Sequence, residues 1–303
     1  MKLRSGLRMA ATLWPMVLVA GCGTAEPPPR PPPPPPVAQR LADAYDSARS
    51  AWDQGGYTQA AALYDALLRR AEAADDATLI ARAAFEGALA HLRAGDPATA
   101  SARAVTGRDD ALRRGHQPSP VLFLVDAAAR YRLDDLVAAD ALAAQAIAAA
   151  PQDSATAARG WFLRGLVGAE RGDRNMIDRA LSALLPSADP EHLADRLELA
   201  ARRDLADGNW STAREAALRA APLRRQSDDL FGMARALAVA AEAADASGDA
   251  TNATDLYFRA GRTALRLDRP MAAHRWLTAA SVAARAAGLP DPAATFDTVR
   301  PDG

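Results

Sequence analysis

The only thiol in the 303-residue sequence is Cys22, at the end of an apolar run and directly after Val19, Ala20 and Gly21. A lone cysteine excludes an intramolecular disulfide and any cysteine-based zinc site. What remains for it is chemistry as a single nucleophile. The four histidines, His91, His116, His192 and His274, lie 25, 76 and 82 residues apart, and none shares a zinc-like spacing with a second ligand; they are expected to pack or to face solvent. The paired acids Asp75-Asp76, Asp109-Asp110, Asp134-Asp135 and Asp228-Asp229 mostly flank helix starts, where carboxylates cap free amides and oppose the helix dipole. No glycine-rich phosphate cradle, serine elbow or metalloprotease helix is present in the sequence. The expectation is therefore no catalytic residue, no cofactor and no metal.

One set of side chains has the spacing of a binding surface. Arg82, Arg159 and Arg235 each lie thirteen residues before a glycine, at Gly95, Gly172 and Gly248. On stacked equivalent helices their guanidiniums would share a face and could grip carboxylates bidentately. The plainer alternative is that they are ordinary solvated arginines.

The elements that would carry these residues are helical. Alanine makes up about a quarter of the chain; it is the strongest intrinsic helix former and lets neighbouring helices approach closely. Val, Ile and Thr nowhere alternate over a useful length, so strands are not expected. Charge is balanced at 36 basic against 37 acidic residues, and the only lysine is Lys2. Without residues 1–21 the balance becomes 33 against 37, a net −4. That opposes non-specific nucleic-acid binding and adhesion of the protein surface to anionic lipid.

The start of the chain reads as a signal peptide over 1–21. Lys2, Arg4 and Arg8 precede MAATLWPMVLVA, an apolar run of about twelve residues. A helix of that length covers roughly 18 Å, short of a hydrocarbon core of about 30 Å. Pro15 also opposes a spanning helix. Val19-Ala20-Gly21-Cys22 resembles the lipobox of bacterial lipoproteins, departing from it where Val19 stands in place of the preferred leucine. The resemblance implies that the Cys22 thiol receives a diacylglyceryl group, that cleavage precedes it, and that the new amine is acylated. Gly23, in place of an aspartate, implies by the same resemblance an outer-membrane protein facing the periplasm. A plain secretory signal with a coincidental cysteine is the alternative. Residues 22–38 then form a linker containing PPPRPPPPPP at 27–36, an extended polyproline rod of roughly 30 Å. It serves as a spacer or as a ligand for an aromatic-lined groove.

Residues 39–287 carry a repeat. Gly55-Gly56, Gly95-Asp96-Pro97, Gly172-Asp173, Gly208-Asn209 and Gly248-Asp249 share a turn chemistry in which glycine ends one helix and Asp or Asn starts the next. A further turn centres on Asp134. Small or aromatic residues recur at fixed offsets: Ala60, Ala100, Ala213 and Ala253 five after the glycine; Tyr64, Ala104, Ala217 and Tyr257 nine after it; Ala48, Ala88, Gly165, Ala201 and Ala241 seven before it. This pattern resembles the tetratricopeptide repeat. The turns are 36 to 40 residues apart, longer than that family's period, with the excess expected in longer helices or in loops such as 107–120 and 186–190. The resemblance implies an all-α, right-handed α–α superhelix of about six helix pairs, with 270–287 as a capping helix carrying Trp276 inward. The remainder, 288–303, reads as a tail. The family's carboxylate clamp, built on lysine and asparagine, is absent, because Asn175, Asn209 and Asn252 fall at turns or helix starts.

The function expected from these parts is a membrane-anchored, non-enzymatic scaffold in the cell envelope, docking a partner protein of envelope assembly on its concave face. Two alternatives stand beside it. A peptidoglycan-related enzyme, or an activator of one, would show two buried carboxylates within about 10 Å in a cleft. A small-ligand-binding lipoprotein would show a closed pocket of several hundred Å³.

Overall fold

The computed structural model describes residues 36–292 except 152–153, 185 and 187–188. The signal segment, Cys22, the body of the proline rod and the end of the tail lie outside the described residues. Within them the chain forms thirteen helices and no strand: α1 (Pro36–Asp53), α2 (Tyr57–Ala73), α3 (Ala77–Ala94), α4 (Pro97–Arg113), α5 (Pro120–Arg132), α6 (Leu136–Ala149), α7 (Ala155–Arg171), α8 (Arg174–Ala183), α9 (Pro190–Ala206), α10 (Trp210–Gln226), α11 (Leu230–Ala246), α12 (Ala250–Arg266) and α13 (Pro270–Ala287). The first helix begins at Pro36, inside the stretch read as linker, because proline suits a helix's first turn.

Each helix packs on the next, and α3 also packs on α5, α5 on α7, α7 on α9 and α9 on α11. Six pairs and a final single helix therefore stack into a tetratricopeptide-like array whose odd-numbered members form one wall. The interface positions follow the repeat: Ala60, Ala100, Ala213 and Ala253 are fully buried, as are Ala48, Ala88, Ala201 and Ala241. Trp276 on α13 is buried and stacks at 5.9 Å on Phe231 of α11.

Two turn chemistries separate the helices. Gly95 has φ +94°, and the amide of Asp96 donates to His91 O while the Asp96 carboxylate accepts from Thr99 N at 3.0 Å. Where no glycine is available, Asp75, Asp134, Asp228 and Asp268 take the left-handed conformation themselves, which aspartate tolerates better than most residues. In the first three of these turns the next aspartate caps the following helix: Asp76 accepts from Leu79 N, Asp135 from Ala138 N and Asp229 from Gly232 N. Asp109-Asp110 differs, lying inside α4 with Asp110 paired to Arg113 and Arg114. The expected long loop over 107–120 is also shorter than read. Helix α4 continues to Arg113 because Gly107 sits against Ala84 and Leu122, where a bare backbone extends the packed face.

Gly165 shows how tightly the pairs cross. A Cβ there would lie 2.5 Å from Leu199 Cδ1 and 3.0 Å from Ala180 Cβ, and Leu199 is fully buried with no room to retreat. Alanine would gain about 1 kcal/mol of helix propensity but overpack by about 1–3 kcal/mol. Gly165→Ala is therefore expected to lower stability by about 1 kcal/mol, read as a lower urea midpoint; a higher midpoint would show slack in this crossing.

Candidate binding groove

Helices α3, α5, α7 and α11, with Arg224 of α10, line an open cavity of about 440 Å³. Its apolar wall comes from Phe85 and Leu89 on α3, Leu124 on α5, Leu163 on α7 and Phe231 on α11, and Arg132, Arg159 and Arg235 bring charge to it. A second cavity of about 500 Å³ continues on the other side of Arg235, among α7, α9, α11 and α13, with Trp210, Tyr257 and Trp276 in its wall. Both sites are grooves open to solvent on one side.

The array curls far enough to touch itself. Arg269, at the start of α13, donates hydrogen bonds to Leu92 O at 3.0 Å and Arg93 O at 2.9 Å, at the end of α3. It replaces the capping aspartate found in the other aspartate-led turns, which frees a long cationic side chain to reach across. Gly95 admits it: a Cβ there would stand 2.5 Å from Arg269 Nη1 and 3.3 Å from Asp268 O.

Behind the cavity lies a buried ionic network. Arg224, only 1% exposed, holds Asp195 Oδ1 at 2.6 Å and Glu198 Oε2 at 3.0 Å with its Nη2, and Asp229 Oδ2 at 3.5 Å with its Nη1. Asp195 also accepts from Arg159 Nη1 at 3.0 and 3.2 Å. Glu198 accepts from Arg235 Nη2 at 3.0 Å and Arg235 Nε, with Arg202 Nη2 3.6 Å away. The Phe162 ring lies under two of these cations, 5.0 Å from Arg224 and 5.7 Å from Arg235. Burial alone would raise the Glu198 carboxyl, but Arg235, Arg224 and Arg202 hold it down to about 2. Burial outweighs the two arginines at Asp195 and pushes that carboxyl up.

Asp195 and Glu198 are thus two coupled, buried carboxylates, the feature that would favour an enzyme. Their surroundings suit a different role. All four oxygens face guanidiniums, and neither residue has any solvent exposure, whereas a general acid or base must reach its substrate. They are counter-ions for arginines in the wall.

The sequence-derived arginines separate. Arg159 and Arg235 line the same cavity, each already committed to a carboxylate. Arg82 lies apart, with its side chain half exposed, bonded to Glu86 at 3.1 Å and packed 4.0 Å from the Tyr45 ring. The histidines divide as well: His91 sits 3.3 Å from both Asp65 oxygens and His192 3.4 Å from Asp189, while His116 and His274 are exposed. Among the described residues no three potential metal ligands cluster.

No protein-family model and no curated protein matches the chain. Among solved structures it is similar to a tetratricopeptide repeat protein from Parabacteroides merdae ATCC 43184, at 14% identity and a TM-score of 0.49, covering 86% of this chain and 97% of that one. It is also similar to the TPR2AB domain of yeast Sti1 in a pHSP90 complex, at 14% identity and a TM-score of 0.34, covering 82% and 99%. At these scores neither likeness bears on function, and the fold assignment rests on the helix packing itself.

Proposed function

We propose that this protein is a lipid-anchored adaptor of the bacterial cell envelope, tethered through Cys22 and docking a partner protein on the inner wall of its helical array. The proposed location is the outer membrane, facing the periplasm. The observation that carries the reading is the wall itself: two adjoining grooves, spanning α3 to α13, present half-buried Phe85, Leu89, Tyr257 and Phe231 to solvent beside charged groups. Isolated apolar side chains on a surface mean little, but several converging in a concavity mark a contact site. Arg159 and Arg235 act there as rigid, partly neutralised rim groups, and Arg82 offers a more accessible guanidinium beyond them. No described helix is long and apolar enough to cross a membrane, so the acyl chains on Cys22 would supply the attachment.

Site-specific photo-crosslinking in intact cells tests this. A crosslinking residue at Leu89 or Trp210, in the grooves, is expected to yield one discrete protein adduct. The same residue at Leu218 or Val282, exposed on α10 and α13 outside either groove, should yield none. Equal labelling at all four positions, or none at the grooves, would remove the inner wall as the docking face.

A further inference from the structure

One cation in the first cavity differs from its neighbours. Arg159, Arg224 and Arg235 are each bound by carboxylates, but Arg132, the last residue of α5, has no carboxylate partner among the described residues. It donates a hydrogen bond to Leu92 O, and Arg269 donates to that same carbonyl. The C-terminal carbonyls of α3, the negative end of that helix dipole, therefore hold two guanidiniums side by side. Arg132 is exposed, on the solvent side of the cavity. The protein packed along it, followed by the like charges of Arg269, Arg235 and Arg93, pulls its guanidinium down to about 10 against the attraction of Asp229. It remains charged at neutral pH, and among the described residues the carboxylate that attracts it, Asp229, is bound instead to Arg224.

The remaining wall is mostly apolar, with Phe85, Leu89, Leu124 and Phe231 facing the same space. We propose that this cavity binds a small amphipathic carboxylate of the fatty-acid class, its head group on Arg132 and its alkyl chain along the apolar wall. A guanidinium fork matches a carboxylate in shape and charge, and a bound anion relieves the repulsion among Arg132, Arg269 and Arg93. The volume of about 440 Å³ lies within the roughly 300–1,000 Å³ of small-molecule sites. A peptide fits less well. It needs neutral donors and acceptors for its backbone, and the lining supplies no asparagine or glutamine, only Tyr131 and Thr156 beside charged groups.

The inference shares its cavity with the adaptor reading, so a bound carboxylate and a docked partner would compete there; the calorimetry that tests the one and the crosslinking that tests the other fail separately. The full chain carrying Cys22→Ser, so that no lipid is attached, is titrated calorimetrically with decanoate and with decan-1-ol. Decanoate is expected to bind one to one, at least tenfold tighter than the alcohol. Arg132→Gln should cost decanoate at least tenfold while leaving decan-1-ol binding and the helical circular dichroism spectrum unchanged. Leu89→Trp, which fills the apolar part, should abolish binding of both. Equal affinity for acid and alcohol, unaltered decanoate binding by Arg132→Gln, no binding of decanoate, or tighter binding of an apolar hexapeptide with a free C-terminus would each overturn the proposal.

Discussion

Glu198→Ala lowers the unfolding free energy by about 3–5 kcal/mol, the usual cost of removing one partner from a buried ionic cluster. Against a typical domain stability of about 5–15 kcal/mol this is the largest single-residue effect expected in the described chain. The reason is specific. Arg235 loses the one carboxylate it is ion-paired with among the described residues, and Arg224 and Arg235 are left facing one another beside Phe162. Urea unfolding followed by circular dichroism measures it, and a loss below about 1 kcal/mol, the scale of an exposed pair, would show that water reaches the cluster.

The same carboxylate leaves an acid signature. Its folded value is about 2 against about 4.3 in an unfolded chain, so the depressed pKa favours the folded state above pH 4.3. That contribution, about 3 kcal/mol, fades as pH falls from 4.3 toward 2. Asp195 opposes it, since a carboxyl pushed up by burial favours folding at lower pH. The net expectation is a stability that declines across this window in the unaltered protein and declines less in Glu198→Ala. Replacing Asp195, Glu198, Arg224 and Arg235 together by apolar residues should recover much of the loss, because a buried ion cluster is seldom worth more than well-packed hydrocarbon.

On the proposed anchoring, Cys22→Ser is expected to move the protein from the membrane fraction to the soluble one. Each buried methylene contributes about 0.8 kcal/mol, one acyl chain anchors only marginally, and two or more hold firmly. On that reading, loss of the thiol removes the acyl attachment. Fractionation of cells into membrane and soluble pools, with metabolic labelling by palmitate, reads the outcome. Continued sedimentation of the unlabelled variant with membranes would show that something other than this thiol holds the protein there.

The turn glycines and the offsets of small residues carried the fold, because both are local: one residue's φ, or one residue's volume at a crossing, decides each. The left-handed aspartates were harder to foresee, since Asp75 and Asp228 read equally well as caps. The ionic network shows the limit more clearly. On α9, Ala194, Glu198, Ala201 and Leu205 fall on one helical stripe, and on α10 so do Ala213, Ala217, Ala220 and Arg224. A charge in the middle of an apolar stripe was the available signal, and alanine's abundance hid the stripes that would have exposed it. Arg82 shares its repeat position with Arg159 and Arg235, yet it meets Glu86 and Tyr45 instead of Asp195 or Glu198. Equivalent places in a repeat share a backbone position and not a partner. No pattern in the chain linked Arg269 to α3, because the sequence separation of 177 between Arg269 and Leu92 is bridged only by accumulated curvature.

That bridge alters how the molecule should come apart. In an open solenoid each repeat leans only on its neighbours, so the ends can zip and unzip separately. Here the final helix grips the second pair through Arg269, and the beginning and end of the array share one fate. Melting of α13 releases α3's carbonyls as well, so unfolding is expected to proceed as a single cooperative event, and refolding is slowed by the need to close that long circuit last.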